Sequence, residues 1–84
     1  MQTLVELGEA VASHRRSLGL KQGDVAARAG ISQELLSRFE RGKSAEFGSR
    51  KLLAVLSVLG MELKFADVGL SGSLDELRRE RGGA

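Results

Sequence analysis

Residues 19–44 read GLKQGDVAARAGISQELLSRFERGKS, and this stretch contains two short helical patterns separated by a turn signal. Small apolar side chains recur at helical spacing over residues 21–29, and Gly30 suits the left-handed conformation that ends a helix. Ser32 then offers an N-cap for the next helix, which ends at Gly42. The stretch therefore predicts two helices joined by a three-residue turn that runs from Gly30 to Ser32.

Helical patterns also occur on both sides of this stretch. Residues 3–18 follow the three-and-four spacing of an amphipathic helix. Residues 50–59 are apolar around most of the helix circumference, which is typical of a helix in a core. A further helical turn is expected over residues 46–48, with Phe47 pointing inward. The sequence thus predicts an all-α domain of five helices.

Residues 61–66 alternate between apolar and polar positions, which is the pattern of a β-strand. No other segment alternates in this way, so a strand here would leave its backbone groups unpaired within one chain. A second copy pairing antiparallel across a two-fold axis would satisfy them. We therefore expect a homodimer whose contacts include Met61, Leu63 and Phe65. The simpler alternative is a frayed extension that alternates by chance.

The chain divides at about residue 66. Residues 1–66 carry ten Lys/Arg and seven Asp/Glu, and we expect them to form one domain that ends in the dimerisation strand at about 61–66. Residues 67–84 carry a net charge of −1 and are rich in glycine and serine, so we expect a flexible C-terminal tail. A transient helix over residues 73–81 that folds onto a partner is the alternative.

Composition excludes several classes of function. The 84 residues include no Cys and one histidine, His14, so we expect no disulfide, no metal site, no cofactor and no nucleophile–base pair of an enzyme. No apolar run approaches the length of a membrane span, and no basic signal-peptide region begins the chain. A cytoplasmic protein is expected. The net charge is only +2, but residues 32–51 carry five cations and three anions, which makes phosphate a plausible partner. On charge alone, a solvated mixed-charge surface is the simpler interpretation.

The predicted pair of helices indicates a specific chemistry, because the second helix of such a unit can enter the DNA major groove. Gln33 can pair through its amide with an adenine edge, Glu34 can accept from cytosine N4, and Arg38 can reach guanine O6 and N7. These three residues occupy exposed positions of the predicted helix.

The segment LGEAVASHRRSLGLKQGDVAARAGISQELLSRFERGKS, residues 7–44, resembles the XRE family of helix-turn-helix regulators, related to phage repressors and Cro proteins. The resemblance extends to about residue 60. The following LAVLSVLGMELKF, residues 53–65, is similar to HipB-type antitoxins. In that family a strand after the last helix completes an intermolecular sheet in a DNA-binding dimer, and the protein neutralises a HipA-like serine/threonine kinase toxin.

The resemblance implies a lambda-repressor-like fold and a role for each matching position. The base-reading residues would be Gln33, Glu34, Ser37 and Arg38. The phosphate-binding residues would be Gln22, Ser32, Arg41, Lys43 and Ser44. A structural ion pair would join Arg15 and Glu40. Leu35 departs from the family pattern, which has a small hydroxyl residue there, and so removes one polar contact with DNA.

Together these features lead us to expect a homodimeric repressor that binds an operator of inverted repeats, does not contact membranes and serves as the antitoxin of an autoregulated toxin–antitoxin operon. One alternative is a stand-alone XRE-family regulator without a toxin. Another is a protein-interaction module that keeps the scaffold but no longer reads DNA.

Overall fold

The computed structural model describes residues 3–67, which form four α-helices and no β-strand. They are α1 Leu4–Ser17, α2 Gln22–Ala29, α3 Gln33–Glu40 and α4 Ser49–Val58. The all-α prediction is confirmed, and each of the four longer predicted helices occurs within two residues of its expected bounds. None of the described helices is long and apolar enough to cross a membrane. The expectations for the tail beyond residue 67 lie outside the described residues.

The prediction of a fifth helix over residues 46–48 was wrong. Residues 43–48 connect α3 to α4 without a helical turn within the described chain. Phe47 does point inward, because its ring stacks on that of Phe39 with centroids 4.1 Å apart and an interplanar angle of 6°. Gly48, the N-cap of α4, has a ψ of 139°, which is outside the helical region. The ring stacking thus fixes Phe47 against α3, and the chain enters α4 through an extended cap residue.

Residues 61–67 are not a strand in the single described copy. Met61 donates its backbone N–H to the carbonyl of Leu56, at 2.8 Å, and this bond closes the end of α4. Residues 62–66 make no backbone–backbone hydrogen bond with another described residue. A strand needs a neighbour to pair with, so the strand and the dimer that it implies stay predictions.

The core lies where α2 and α3 meet the remaining helices, since α1 packs on α3 and α2 packs on both α3 and α4. Leu36 and Phe39 of α3 are fully buried, as the helical spacing of the sequence indicates. The other members of the cluster are Val11, Val25, Ala26, Leu52, Val55, Leu56 and Leu59. This cluster holds α3 from behind and leaves its opposite face free.

Gly8 determines how closely α1 approaches α3. A Cβ added at this position would lie 2.1 Å from the carbonyl oxygen of Phe39, far inside van der Waals contact. The neighbour is backbone, which cannot rotate away as a side chain can. Gly8 is therefore required by close packing, although it lies in the interior of a helix, where glycine is intrinsically unfavourable.

His14 connects α1 to the end of α4. Its Nε2 lies 3.0 Å from the carbonyl oxygen of Leu59, and the contact is partly buried. Because a carbonyl oxygen only accepts, Nε2 carries the proton in this bond. The bond satisfies one of the carbonyls that the end of α4 leaves without a partner inside the helix.

Candidate nucleic-acid interface

The turn between α2 and α3 is fixed by backbone hydrogen bonds. Gly30 has φ 74° and ψ 30°, the left-handed conformation that only glycine adopts without strain. The N–H of Ile31 donates to the carbonyl of Ala26 at 3.0 Å, which is the long bond of a Schellman motif. The direction in which the chain leaves α2 is therefore determined by Gly30.

Ser32 begins α3 as the sequence predicts. Its side-chain oxygen accepts a hydrogen bond from the backbone N–H of Leu35 at 3.1 Å. The hydroxyl hydrogen of Ser32 is not used in that bond and can still be donated outward. The cap therefore orders the first turn of α3 and leaves a donor at its exposed end, where a helix also favours anions.

The face of α3 that points away from the core carries most of the predicted base-reading residues. Gln33, Glu34 and Arg38 are exposed, whereas Ser37 is half-buried. Leu35 is also half-buried, so its apolar group is partly shielded by the protein. The exposed face presents an amide, a carboxylate and a guanidinium, which together can pair with the edges of different bases.

The predicted phosphate-binding residues surround this helix. Arg41 and Lys43 are exposed at its C-terminal end, and Ser44 is half-buried beside them. Gly42, with φ 70°, lets the backbone N–H of Lys43 return to the carbonyl of Arg38 at 2.8 Å. This bond places a defined turn, and the lysine that it contains, directly after the reading helix.

A buried polar cluster lies behind α3. Glu40 accepts from Arg15 Nε at 2.8 Å and from Arg15 Nη2 at 2.9 Å, which makes the ion pair bidentate. The same carboxylate accepts from Gln22 Nε2 at 2.8 Å. Arg15 Nη1 also donates to the carbonyl of Leu20 at 2.8 Å. Four hydrogen bonds therefore join α1, the loop that follows it, the start of α2 and the end of α3.

The cluster is well shielded from water, since the side chain of Glu40 is 2% exposed and that of Arg15 is 11% exposed. The hydrogen bond to Glu40 raises the pKa of Arg15 above its ordinary value, although burial acts in the opposite direction. The guanidinium is therefore charged at every pH of practical interest. No buried side-chain nitrogen or oxygen among the described residues lacks a hydrogen-bond partner.

Gln22 differs from the other predicted phosphate-binding residues because its amide already has a partner in the protein. One N–H donates to Glu40, and an amide nitrogen has two. The second N–H can face the open cleft of about 440 Å³ that lies between the start of α2 and Gln33. Gln22 therefore combines a structural bond with one remaining donor at the surface.

Gly23 also matters to the site, although it was not identified from the sequence. A Cβ added there would lie 3.3 Å from Oε1 of Gln33, a tight contact. The Gln33 side chain thus lies across the first turn of α2, over the space that Gly23 leaves open. A glycine inside a predicted helix is the one signal from which this close approach could have been suspected.

Two short helices that meet at a glycine turn, the second of them with a polar outer face, define the helix-turn-helix class of DNA-binding domain. The family described as helix-turn-helix domain matches residues 6–64, and the chain belongs to this family. None of the curated proteins matches the chain. The family assignment therefore rests on a match that covers α1 from its third residue, the whole of α2, α3 and α4, and the segment after α4 as far as residue 64.

Proposed function

We propose that this protein is a sequence-specific transcriptional repressor that acts on double-stranded DNA in the cytoplasm as a homodimer. The observation that carries the proposal is the outward face of α3, where the exposed Gln33 and Arg38 stand on a helix that the buried Arg15–Glu40 pair holds from behind. Membership of the helix-turn-helix domain family supports the same class of function.

Recognition in this proposal is direct, through the major groove. Arg38 donates in bidentate fashion to guanine O6 and N7, and Gln33 pairs with the N6 and N7 edge of adenine. Glu34 accepts from the N4 amine of cytosine, the usual partner of a carboxylate in the major groove. Ser37, half-buried one turn after Gln33, supplies a hydroxyl close to the same base pairs.

Phosphate contacts position this helix without reading sequence. The exposed Arg41 and Lys43 supply charge at the end of α3, with Ser44 beside them. Two neutral donors are also available. They are the hydroxyl of Ser32 at the start of α3 and the second amide hydrogen of Gln22 at the start of α2. A backbone phosphate in the cleft between α2 and α3 would be within reach of the Gln22 amide, which lines that cleft.

The dimer gives the operator its symmetry. Two copies joined through Met61, Leu63 and Phe65 would present two α3 helices, so the operator would consist of inverted half-sites about 34 Å apart, one helical turn of DNA. The exposure of Leu63 and Phe65 on the single described copy supports this, because burying them requires a partner.

The particular biological role that we propose is that of an antitoxin, which represses its own operon and neutralises a HipA-like serine/threonine kinase. Its support is the resemblance of residues 53–65 to HipB-type antitoxins. Co-expression with the kinase encoded beside it, followed by purification through a tag on the kinase, should recover both proteins in one complex. Recovery of the kinase alone would instead favour a stand-alone regulator.

DNA binding is tested by replacing a base-reading residue. Arg38→Ala and Gln33→Ala should each weaken operator binding by about 1–3 kcal/mol and relax the preference at one base pair. The measurement is fluorescence anisotropy titration with operator and with random duplexes at one salt concentration. Equal binding of both duplexes before and after Arg38→Ala would contradict the assignment of α3, and a wild type insensitive to salt and sequence would favour a protein-interaction module.

Lys43→Ala provides the matched comparison, since this residue is assigned to phosphate. It should weaken operator and random DNA alike and reduce the slope of log K against log salt by about 0.9. A change in sequence preference on this substitution would show that Lys43 reads bases.

A further inference from the structure

The segment that follows α4, residues 61–66, has exposed apolar side chains and borders two grooves. Leu63 is 41% exposed and Phe65 is fully exposed. A groove of about 490 Å³ borders the segment beside Leu53 and Leu56 of α4, and a second groove of about 260 Å³ lies between it and α1. Exposed apolar side chains beside open grooves are typical of a surface that a partner covers.

The opposite face of this segment is charged and carries both signs. Glu62 and Lys64 are exposed, and Lys64 Nζ lies 3.5 Å from Glu62 Oε1. The backbone groups of residues 62–66 have no backbone partner among the described residues. The segment therefore combines an apolar face, a face of alternating charge and a free hydrogen-bonding edge.

We propose that the segment pairs antiparallel with the same segment of a second copy in one defined register, with the two Leu63 residues opposite each other on the two-fold axis. This inference rests on the proposed dimer and adds its geometry. Glu62 then lies opposite Lys64 of the second copy, and Met61 lies opposite Phe65. Two opposite-charge pairs form on one face, and a continuous apolar row forms on the other.

Charge and side-chain direction select this register over its neighbours. An axis at Glu62 or at Lys64 would place two like charges directly opposite each other, which is destabilising. An axis between two residues would put the apolar side chains of one copy on the same side as the charged side chains of the other. An axis at residue 61 or 65, or beyond, would leave at most one of residues 61–65 opposite another residue of this range.

The same register accounts for the exposure of Phe65. Met61 packs on the core at the edge of the larger groove, and Phe65 of the second copy lies opposite Met61. The ring that is fully exposed in one copy would therefore enter the groove beside Leu53 and Leu56 of the other. Symmetry makes this contact twice, so the larger groove of each copy would be covered by Phe65 of the other.

Disulfide cross-linking tests the register directly, because the chain has no native cysteine. Leu63→Cys should cross-link to itself rapidly under mild oxidation, since directly opposite residues lie about 4.5–5.5 Å apart. Glu62→Cys or Lys64→Cys alone should cross-link slowly, because each lies about 7–8 Å from its own mate. A mixture of these two variants should form the mixed disulfide, in which Leu63 is unchanged.

Charge reversal provides an independent readout by sedimentation equilibrium. Glu62→Lys and Lys64→Glu should each weaken the dimer by about tenfold, because two opposite-charge pairs become like-charge pairs. The double variant should recover wild-type association, and a mixture of the two single variants should form a heterodimer. Single variants that associate as the wild type does would overturn the register.

The outcomes separate the register from the dimer. A wild type that sediments as a monomer at micromolar concentration would overturn both. A wild-type dimer in which Glu62→Cys or Lys64→Cys cross-links to itself faster than Leu63→Cys would overturn the register alone and would locate the axis at the faster residue.

Discussion

Replacing Arg15 by methionine should strongly destabilise the domain. The substitution removes both donors to Glu40 and the donor to the carbonyl of Leu20. The carboxylate of Glu40, 2% exposed, would then keep the bond from Gln22 as its one remaining partner from the cluster. A charge left buried without its counter-ion costs about 3–5 kcal/mol. This is a large part of the roughly 5–15 kcal/mol by which domains are stable.

The assays are thermal and urea denaturation followed by circular dichroism, at one fixed protein concentration because association contributes to stability. Arg16→Met is the matched control, since Arg16 is the exposed neighbour on the same helix. The Arg15→Met variant should melt roughly 12 °C or more below the control, at about 4–8 °C for each kcal/mol. The double variant Arg15→Met with Glu40→Met should recover most of the loss, because no buried charge remains.

The sign of the pH dependence follows from the raised pKa of Arg15. A base whose pKa is raised on folding contributes its full stability below the unfolded pKa, which for arginine lies far above neutral pH, and loses it as the pH rises through the folded pKa. The deficit of Arg15→Met should therefore be the same at pH 7 and at pH 9. The reasoning is refuted if the variant lies within about 1 kcal/mol of Arg16→Met, or if the double variant loses the sum of the two single losses.

Two further predictions concern helix contacts. Gly8→Ala should lower the free energy of unfolding by about 1–3 kcal/mol, because its Cβ would meet the carbonyl of Phe39 at 2.1 Å. Ser13→Ala, exposed on the same helix, is its control in thermal unfolding, and a stabilised Gly8→Ala would contradict the close approach. His14→Ala should cost about 1 kcal/mol by removing the bond to Leu59, whereas an unchanged urea midpoint would mean that the bond contributes nothing.

The local features of the fold could be predicted from the sequence because their causes are local. Gly30 ends α2 and Ser32 caps α3 through bonds that span five residues or fewer. The helix expected over residues 46–48 failed because a distant contact decided that segment. The ring of Phe47 stacks on Phe39, eight residues earlier, and no spacing rule within one turn contains that information.

The exposed face of α3 could be predicted from the sequence. The contacts behind α3 that hold it in place could be predicted only in part. Helical spacing identified Gln33, Glu34 and Arg38 as exposed. The family resemblance supplied the Arg15–Glu40 pair, but nothing indicated that Gln22 also donates to Glu40, a bond between residues eighteen positions apart. The demand for glycine at position 8 likewise arises from the backbone of another helix, which the sequence alone does not locate.

The most direct test of the central claim is selection of duplexes from a random DNA library by the wild-type protein and by Arg38→Ala. We expect the wild type to enrich an inverted repeat whose half-sites are one helical turn apart. Arg38→Ala should lose the preference at one guanine in each half-site and keep the rest. Enrichment of no sequence by the wild type, or of the same guanine by both proteins, would contradict recognition through α3.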